Sequence, residues 1–176
     1  IRSSCASELS STNTSAASSF ASRRNRIPRR SFGNSSNRIA FRIKHKDGKN
    51  VTYRDITYNQ MGKDIKALST WLLSKDMNGK RIVVVGDNCY EWVLGYLATL
   101  CAGCVFVPLD KNLPKDELMG LLERAQPECI IYGANFEVAI KQYAKAPYTI
   151  CMKDEIYNVI SEGDKLICAG NTDYDN

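Results

Sequence analysis

The sequence has few of the residues that usually carry acid–base or metal chemistry. Its one histidine, His45, lies beside an Asp47-Gly48 turn, where we expect a solvated rather than a catalytic side chain. Cys101 and Cys104 have the spacing of a zinc knuckle, but a structural zinc site needs four ligands. No second Cys-x-x-Cys pair and no nearby histidine follow, so two small buried thiols are the simpler interpretation.

The chain also lacks the signals of a secreted protein. Its seven cysteines are an odd number, and their spacing does not resemble a disulfide framework. No apolar secretory segment is visible near the first residue. We therefore expect free thiols in a reducing compartment, and we assign the protein to the cytoplasm.

Lysine is absent from residues 1–38, which contain seven arginines and a single acid, Glu8. The rest of the chain contains 17 basic and 18 acidic residues, so the positive charge is not clustered on a fold and we expect no nucleic-acid partner. Residues 1–36 are rich in Ser and Arg and lack apolar periodicity, which predicts a disordered leader. A mitochondrial-type transit peptide and a regulatory basic tail are the alternatives.

Charge is also missing between Glu91 and Asp110. A membrane span, or a membrane-anchored protein, is one interpretation, because about 18 to 20 apolar residues cross a bilayer. However, Ala102-Gly103 and Pro108 interrupt the run, and the flanking charges are acidic on both sides instead of following the positive-inside rule. A helix that runs into a buried strand fits better, and we expect no transmembrane span.

The ordered part is predicted to begin near residue 37 with a β-hairpin. Apolar residues alternate on both sides of the Asp47-Gly48 turn, a strong hairpin signal. Thr52 and Asp55 have the spacing of a capping box and predict the start of a helix. The apolar face of this helix consists of Met61, Ile65, Leu68 and Leu72. The helix is expected to end at Asn78-Gly79.

Short apolar runs then alternate with helical patterns. Asp87 or Asn88 is expected to cap the helix that starts at Cys89, and Gly103 to end it in the left-handed conformation. Further helices are predicted near 112–125 and 136–143. This alternation predicts an α/β fold, a Rossmann-like parallel sheet with flanking helices and right-handed crossovers. Its buried strands are Ile82–Val85, Val105–Leu109, Cys129–Tyr132 and Tyr148–Ile150.

The helix at 89–101 is apolar on all sides, so every side of it must be covered. One sheet covers one side only. We therefore expect this chain to be part of something larger whose remainder covers the other face, with homodimerisation through that face as the alternative.

The order GKRIVVVGDNCYEW, YLATLCAGCVFVPLDKNLPKDEL and CIIYG resembles the N-terminal segment of adenylate-forming enzymes, the AMP-binding superfamily. GDNCYEW and VPLDKNLPKDEL are most similar to the long-chain acyl-CoA synthetase branch. The resemblance implies that residues 37–176 are a truncated N-terminal part of the AMP-binding domain, a partial subdomain of that fold. It further implies an ATP-dependent fatty-acid–CoA ligase that forms an acyl-adenylate, with magnesium and coenzyme A, and a fatty acid as substrate.

The family's Ser/Thr/Gly-rich phosphate loop would follow Asp173, and no Gly-x-x-x-x-Gly-Lys or Gly-x-Gly-x-x-Gly sequence occurs. We therefore assign no catalytic, cofactor-binding or metal-binding residue. We expect this segment alone to be inactive and to bind none of the cofactors tightly. Pro108, Leu109 and Asp110 lie at a strand's carboxyl end, where α/β sheets bind ligands, but they are interpreted as a turn.

Two adjacent acids, Asp116 and Glu117, could be mistaken for a pair of catalytic carboxylates. They fall in the first turn of a predicted helix, where they complement the helix dipole. The alternative function is a non-catalytic α/β binding or interaction module.

Overall fold

The computed structural model describes residues 36–170. The chain begins with an antiparallel hairpin of β1 (Ile39–Asp47) and β2 (Asn50–Thr57). Gly48 turns between the strands at φ +57°, a conformation that glycine adopts without strain. The predicted hairpin is confirmed. The prediction of a disordered leader concerns residues 1–36, of which residues 1–35 lie outside the described part.

Beyond the hairpin, strands and helices alternate. The helices are α1 (Tyr58–Ser74), α2 (Tyr90–Cys101), α3 (Lys115–Ala125), α4 (Glu137–Tyr143) and α5 (Ile156–Cys168). The strands are β3 (Arg81–Val85), β4 (Val105–Leu109), β5 (Cys129–Tyr132) and β6 (Tyr148–Cys151). These four strands form one parallel sheet in the order β4-β3-β5-β6, which confirms the predicted α/β class.

The sheet is covered on both faces by helices of this chain. Side chains of α1, α2 and α5 pack with Ile82, Val84 and Ile131 on one face. Side chains of α3 and α4 pack with Val83 and Ile130 on the other. Because successive strand residues point to opposite faces, the continuous β-branched run in β3 supplies both cores.

The prediction that Thr52 caps the first helix is wrong. Thr52 and Asp55 lie inside β2, where Asp55 pairs with Arg42 of β1 at 2.6 Å. The helix begins one threonine later, and the Thr57 hydroxyl accepts the hydrogen bond from the Gln60 backbone N–H. Pairing with β1 keeps β2 extended for five residues longer than the capping pattern indicated.

Other element ends also differ from the predictions. The first helix ends at Ser74 instead of at Asn78-Gly79, which forms a turn before β3. The second helix is preceded by Cys89 as its N-cap residue, without a side-chain hydrogen bond, so neither Asp87 nor Asn88 caps it.

The strand β4 was expected to be buried, but it pairs within residues 36–170 only with β3. It therefore lies at the sheet edge, and Val105 is 48% exposed. Gly103 has φ +68° after α2, as predicted.

The helix α5 was not predicted. It packs against α1 through Ile156, Ile160 and Gly163, all buried. No helix within residues 36–170 has the length and apolarity needed to cross a bilayer.

Candidate functional site

The carboxyl edge of the parallel sheet is the first place where a ligand site is expected. The turns after β3 and β5 approach each other closely there. A Cβ atom added to Gly86 would lie 3.1 Å from the backbone N of Gly133, and that N–H donates to the Val85 carbonyl at 2.9 Å. Glycine at position 86 lets the two backbones meet.

Three polar side chains at this edge have partners within the fold. Lys111 Nζ lies 2.7 Å from Asp87 Oδ1, and this contact raises the pKa of Lys111. The Asp110 carboxylate accepts the Asn112 backbone N–H at 2.8 Å. Pro108, Leu109 and Asp110 therefore lie where predicted, and Asp110 stabilises the turn after β4.

This edge does not fit a nucleotide triphosphate. Phosphate sites provide free backbone N–H groups and cations, whereas the edge presents the carboxylates of Asp87 and Asp110. Lys111, the lysine that follows β4, is already paired with Asp87. Within the described residues no group of three His, Cys, Asp or Glu side chains could hold a metal ion. We therefore assign no step of ATP chemistry to these residues.

A buried polar cluster joins α1 to α2, and the sequence patterns did not predict it. Asp64 is 7% exposed and accepts hydrogen bonds from Tyr90 Oη at 2.6 Å and Gln60 Nε2 at 2.7 Å. The pKa of Tyr90 is raised mainly by burial and also by the hydrogen bond with Asp64. A lone aspartate three residues after Met61, on an otherwise apolar helix face, was the available signal.

A second polar contact ties the hairpin and α5 to α2. Tyr157 Oη donates to Glu91 Oε1 at 2.5 Å, and the Arg54 guanidinium carbon lies 5.8 Å from the Tyr157 ring centroid. Burial and the hydrogen bond with Glu91 raise the pKa of Tyr157 to about 12. A phenol with that pKa is a poor acid–base catalyst near neutral pH, so this contact is structural.

The outer face of α2 is aromatic and only partly covered. The ring centroids of Tyr96 and Phe106 are 4.7 Å apart, and those of Trp92 and Phe106 are 5.8 Å apart. Beside them Leu100 is 39% exposed and Val105 is 48% exposed. We call Trp92, Tyr96, Leu100, Val105 and Phe106 the aromatic face.

The opposite sides of α2 are covered within the chain. Leu94 and Ala98 are fully buried, and Phe41 of the hairpin packs edge-on against Tyr90 at 5.3 Å. Part of the cover expected from a larger enzyme is thus supplied by α1 and the hairpin.

The two cysteines with knuckle spacing do not form a site. Cys104 is buried, and its thiol donates to the Met77 carbonyl at 3.1 Å. Cys101 is half-buried. Burial raises the pKa of both thiols to about 11, which disfavours the thiolate form that binds metals. Asp116 and Glu117 lie in the first turn of α3, as predicted.

Comparison with known proteins gives partial but consistent matches. The chain is 29% identical over 84 residues to a D-alanine–D-alanyl carrier protein ligase of Bacillus mycoides. The aligned region covers 47% of this chain and 17% of that ligase. It is also 26% identical over 78 residues to nonribosomal peptide synthetase 5 of Aspergillus fumigatus, covering 44% of this chain and 4% of that synthetase.

Solved structures share the fold. A carboxylic acid reductase didomain of Segniliparus rugosus in complex with AMP superposes with a TM-score of 0.58 at 16% identity, over 78% of this chain and 23% of that one. A Rhodopseudomonas palustris protein, named provisionally as a long-chain-fatty-acid CoA ligase, superposes with a TM-score of 0.54 at 18% identity. This superposition covers 57% of this chain and 27% of that one. The chain thus spans about a quarter of these structures.

The family model described as AMP-binding enzyme matches residues 29–166. This match covers well over half of the 176 residues, and the fold agrees with the sheet and helices described above. The chain therefore belongs to the AMP-binding family of adenylate-forming enzymes.

Proposed function

We propose that the chain is the N-terminal segment of an ATP-dependent ligase that couples a carboxylic acid to a thiol through an acyl-adenylate. The observation that carries this proposal is the family match over residues 29–166. The parallel order of β3 to β6 supports it, since adenylate-forming structures superpose on this part of the chain.

We further propose a fatty acid as the carboxylic acid and coenzyme A as the thiol, with magnesium accompanying ATP. The support is the pair of sequence segments GDNCYEW and VPLDKNLPKDEL, which resemble long-chain acyl-CoA synthetases. We place the enzyme in the cytoplasm, with residues 1–36 as a candidate organellar targeting signal.

This segment acts as scaffold in the proposal. The polar groups described above are satisfied within the fold, and Lys111 at the carboxyl edge is paired with Asp87. Triphosphate binding and the stabilisation of charge at the transferred phosphorus are therefore assigned to other parts of the enzyme.

The aromatic face marks where those other parts join. Leu100 and Val105 are exposed beside a cluster of three rings, and large exposed apolar patches identify interaction sites. We propose that the remainder of the same enzyme covers this face. The partial coverage of every solved relative described above supports this assignment.

ATP–pyrophosphate exchange tests the proposal. The 176-residue chain and the complete gene product are each assayed with palmitate, with D-alanine and without acid. We expect exchange only for the complete product with palmitate.

Each other outcome removes one part of the proposal. Exchange by the 176-residue chain alone would contradict the scaffold role. Exchange with D-alanine but not palmitate would overturn the fatty-acid assignment. A complete, well-folded product that is inactive with every acid would favour a non-catalytic α/β module over a ligase.

A further inference from the structure

The hairpin has two unlike faces. Cross-strand partners share a face, so the register places Phe41 and Ile56 together on the inward side. Ile56 is 2% exposed and Phe41 packs on Tyr90. The opposite side, which we call the outer hairpin face, consists of the pairs Arg42–Asp55, Lys44–Tyr53 and Lys46–Val51.

This outer hairpin face combines free cations with exposed apolar surface. Tyr53 is 60% exposed and Val51 is 43% exposed. Lys44 and Lys46 lie directly opposite them and, within residues 36–170, form no ion pair. Only Arg42, at the base of the hairpin, is neutralised, by Asp55 at 2.6 Å.

The charge of the folded part is segregated in the same direction. Residues 37–57 contain six Arg or Lys and two Asp residues, whereas residues 58–170 contain twelve Arg or Lys and fourteen Asp or Glu residues. The hairpin therefore carries a net positive charge, and the α/β body carries a small negative one. Such an asymmetry orients a protein on an anionic surface.

We propose that the outer hairpin face binds the surface of a membrane that contains anionic phospholipid. Lysine stems lie along apolar surface while their ammonium groups reach the headgroups, and tyrosine suits an interface that is apolar on one side and wet on the other. Basic residues near an anionic leaflet each contribute to binding, and the apolar pair Val51 and Tyr53 supplies the second signal that stable attachment needs.

Two other anionic partners fit this face less well. Single-stranded nucleic acid is bound by grooves with several stacking rings, whereas one exposed tyrosine lies on this face. Protein interfaces are enriched in arginine and depleted in lysine, while the unpaired cations here are lysines.

The test is sedimentation of the 176-residue chain with vesicles of phosphatidylcholine alone, or with about a third phosphatidylserine. Lys44→Gln/Lys46→Gln is compared with Lys115→Gln/Lys153→Gln, which removes two exposed lysines from the body. At about 1 kcal/mol per lysine, we expect the hairpin variant to bind anionic vesicles about 30-fold more weakly. The body variant should bind like the unmodified chain, and circular dichroism confirms that each variant is folded.

Two further measurements separate the components of binding. Tyr53→Ser should weaken binding at every salt concentration, because it removes apolar contact. Raising salt to about 1 M, where the Debye length falls to about 3 Å, should remove most of the remaining affinity.

Three outcomes would overturn the proposal. The first is equal binding to both kinds of vesicle or to neither. The second is unchanged binding by the Lys44→Gln/Lys46→Gln variant. The third is retention on a structured RNA with no vesicle binding. The assay contains no ATP and no acid, so its result is independent of the proposed ligase activity.

Discussion

The helices α1 and α5 approach each other closely at Gly163, and Gly163→Ala tests this contact. A Cβ atom at Gly163 would lie 2.0 Å from the Ala67 carbonyl oxygen and 2.6 Å from the Ala67 carbonyl carbon. Real Cβ atoms make ordinary contacts at 3.4 Å or more. Because Ala67 presents helix backbone, it cannot move aside as a flexible side chain would.

The variant must therefore push α5 away from α1 by about 1.4 Å, the difference between 3.4 and 2.0 Å. A radial gap of 0.5 to 1 Å already removes about a quarter to a half of the dispersion energy of a contact. This loss falls on Ile156 and Ile160, which α5 buries. Overpacked cores lose about 1 to 3 kcal/mol, and we expect at least the upper end of that range.

Urea unfolding followed by tryptophan fluorescence measures the effect, because Trp71 lies in this interface and donates to Glu162 Oε2 at 2.9 Å. With an m value of about 2 kcal/mol/M, a loss of about 3 kcal/mol lowers the unfolding midpoint by about 1.5 M. The matched control is Gly120→Ala in α3, where nothing lies within 4 Å of the added Cβ. It should gain up to about 1 kcal/mol from helix propensity. Equal midpoints for the two alanine variants would refute the close contact.

Three further substitutions have expected outcomes. Gly103→Val should lower stability by at least about 1 kcal/mol, because Gly103 has φ +68° and its added Cβ would lie 2.6 Å from Asn78 Nδ2; an unchanged melting temperature would contradict this. Tyr90→Phe should cost about 1 to 3 kcal/mol, because buried Asp64 loses its 2.6 Å hydrogen bond; urea midpoints measure it, and a neutral result would show that the bond contributes nothing. The pKa of Tyr157 is raised to about 12 in the fold, compared with about 10 in the unfolded chain. The stabilisation that Tyr157 provides is therefore complete below about pH 10 and is lost as the pH rises towards 12. As the pH rises from about 9.5 to 11.5, the stability of Tyr157→Phe should fall less than that of the unmodified chain. Parallel pH profiles of the urea midpoint for the two proteins would contradict this.

The sheet could be predicted because local sequence and tertiary environment agree there. The run Ile82–Val85 is β-branched and uncharged, and its residues are fully buried in the fold. A strand covered on both faces requires that composition, so one short run indicated both the strand and its layers. Gly103 was predictable for a similar reason, since few other residues adopt its backbone conformation.

Element ends were less predictable because they depend on partners distant in the chain. Thr52 and Thr57 both precede helix-compatible residues, and only pairing between β2 and β1 decides which one starts α1. The helix α5 had a usable signal, since Ile156, Ile160 and Ile167 are spaced by four and seven residues, consistent with one helix face.

The polar contacts of the candidate site could not be predicted from local patterns. Tyr90 and Asp64 are 26 residues apart, and Tyr157 and Glu91 are 66 residues apart. Neither pair belongs to a motif, and each forms only because packing brings its helices together. The turn at Asp110 was predictable because the hydrogen bond to Asn112 spans two residues.

The apolar helix α2 shows how far such reasoning extends. Its composition required cover on every side, and the fold supplies that cover on the sides that contain Leu94 and Ala98. The aromatic face contains the most exposed apolar residues beside α2, Leu100 and Val105, which are 39% and 48% exposed. Both faces of the sheet are already covered by helices of this chain, so this uncovered apolar surface lies at the sheet edge and not on its faces. A partner that joins there would extend the core beside β4 without rebuilding the fold that this segment already has.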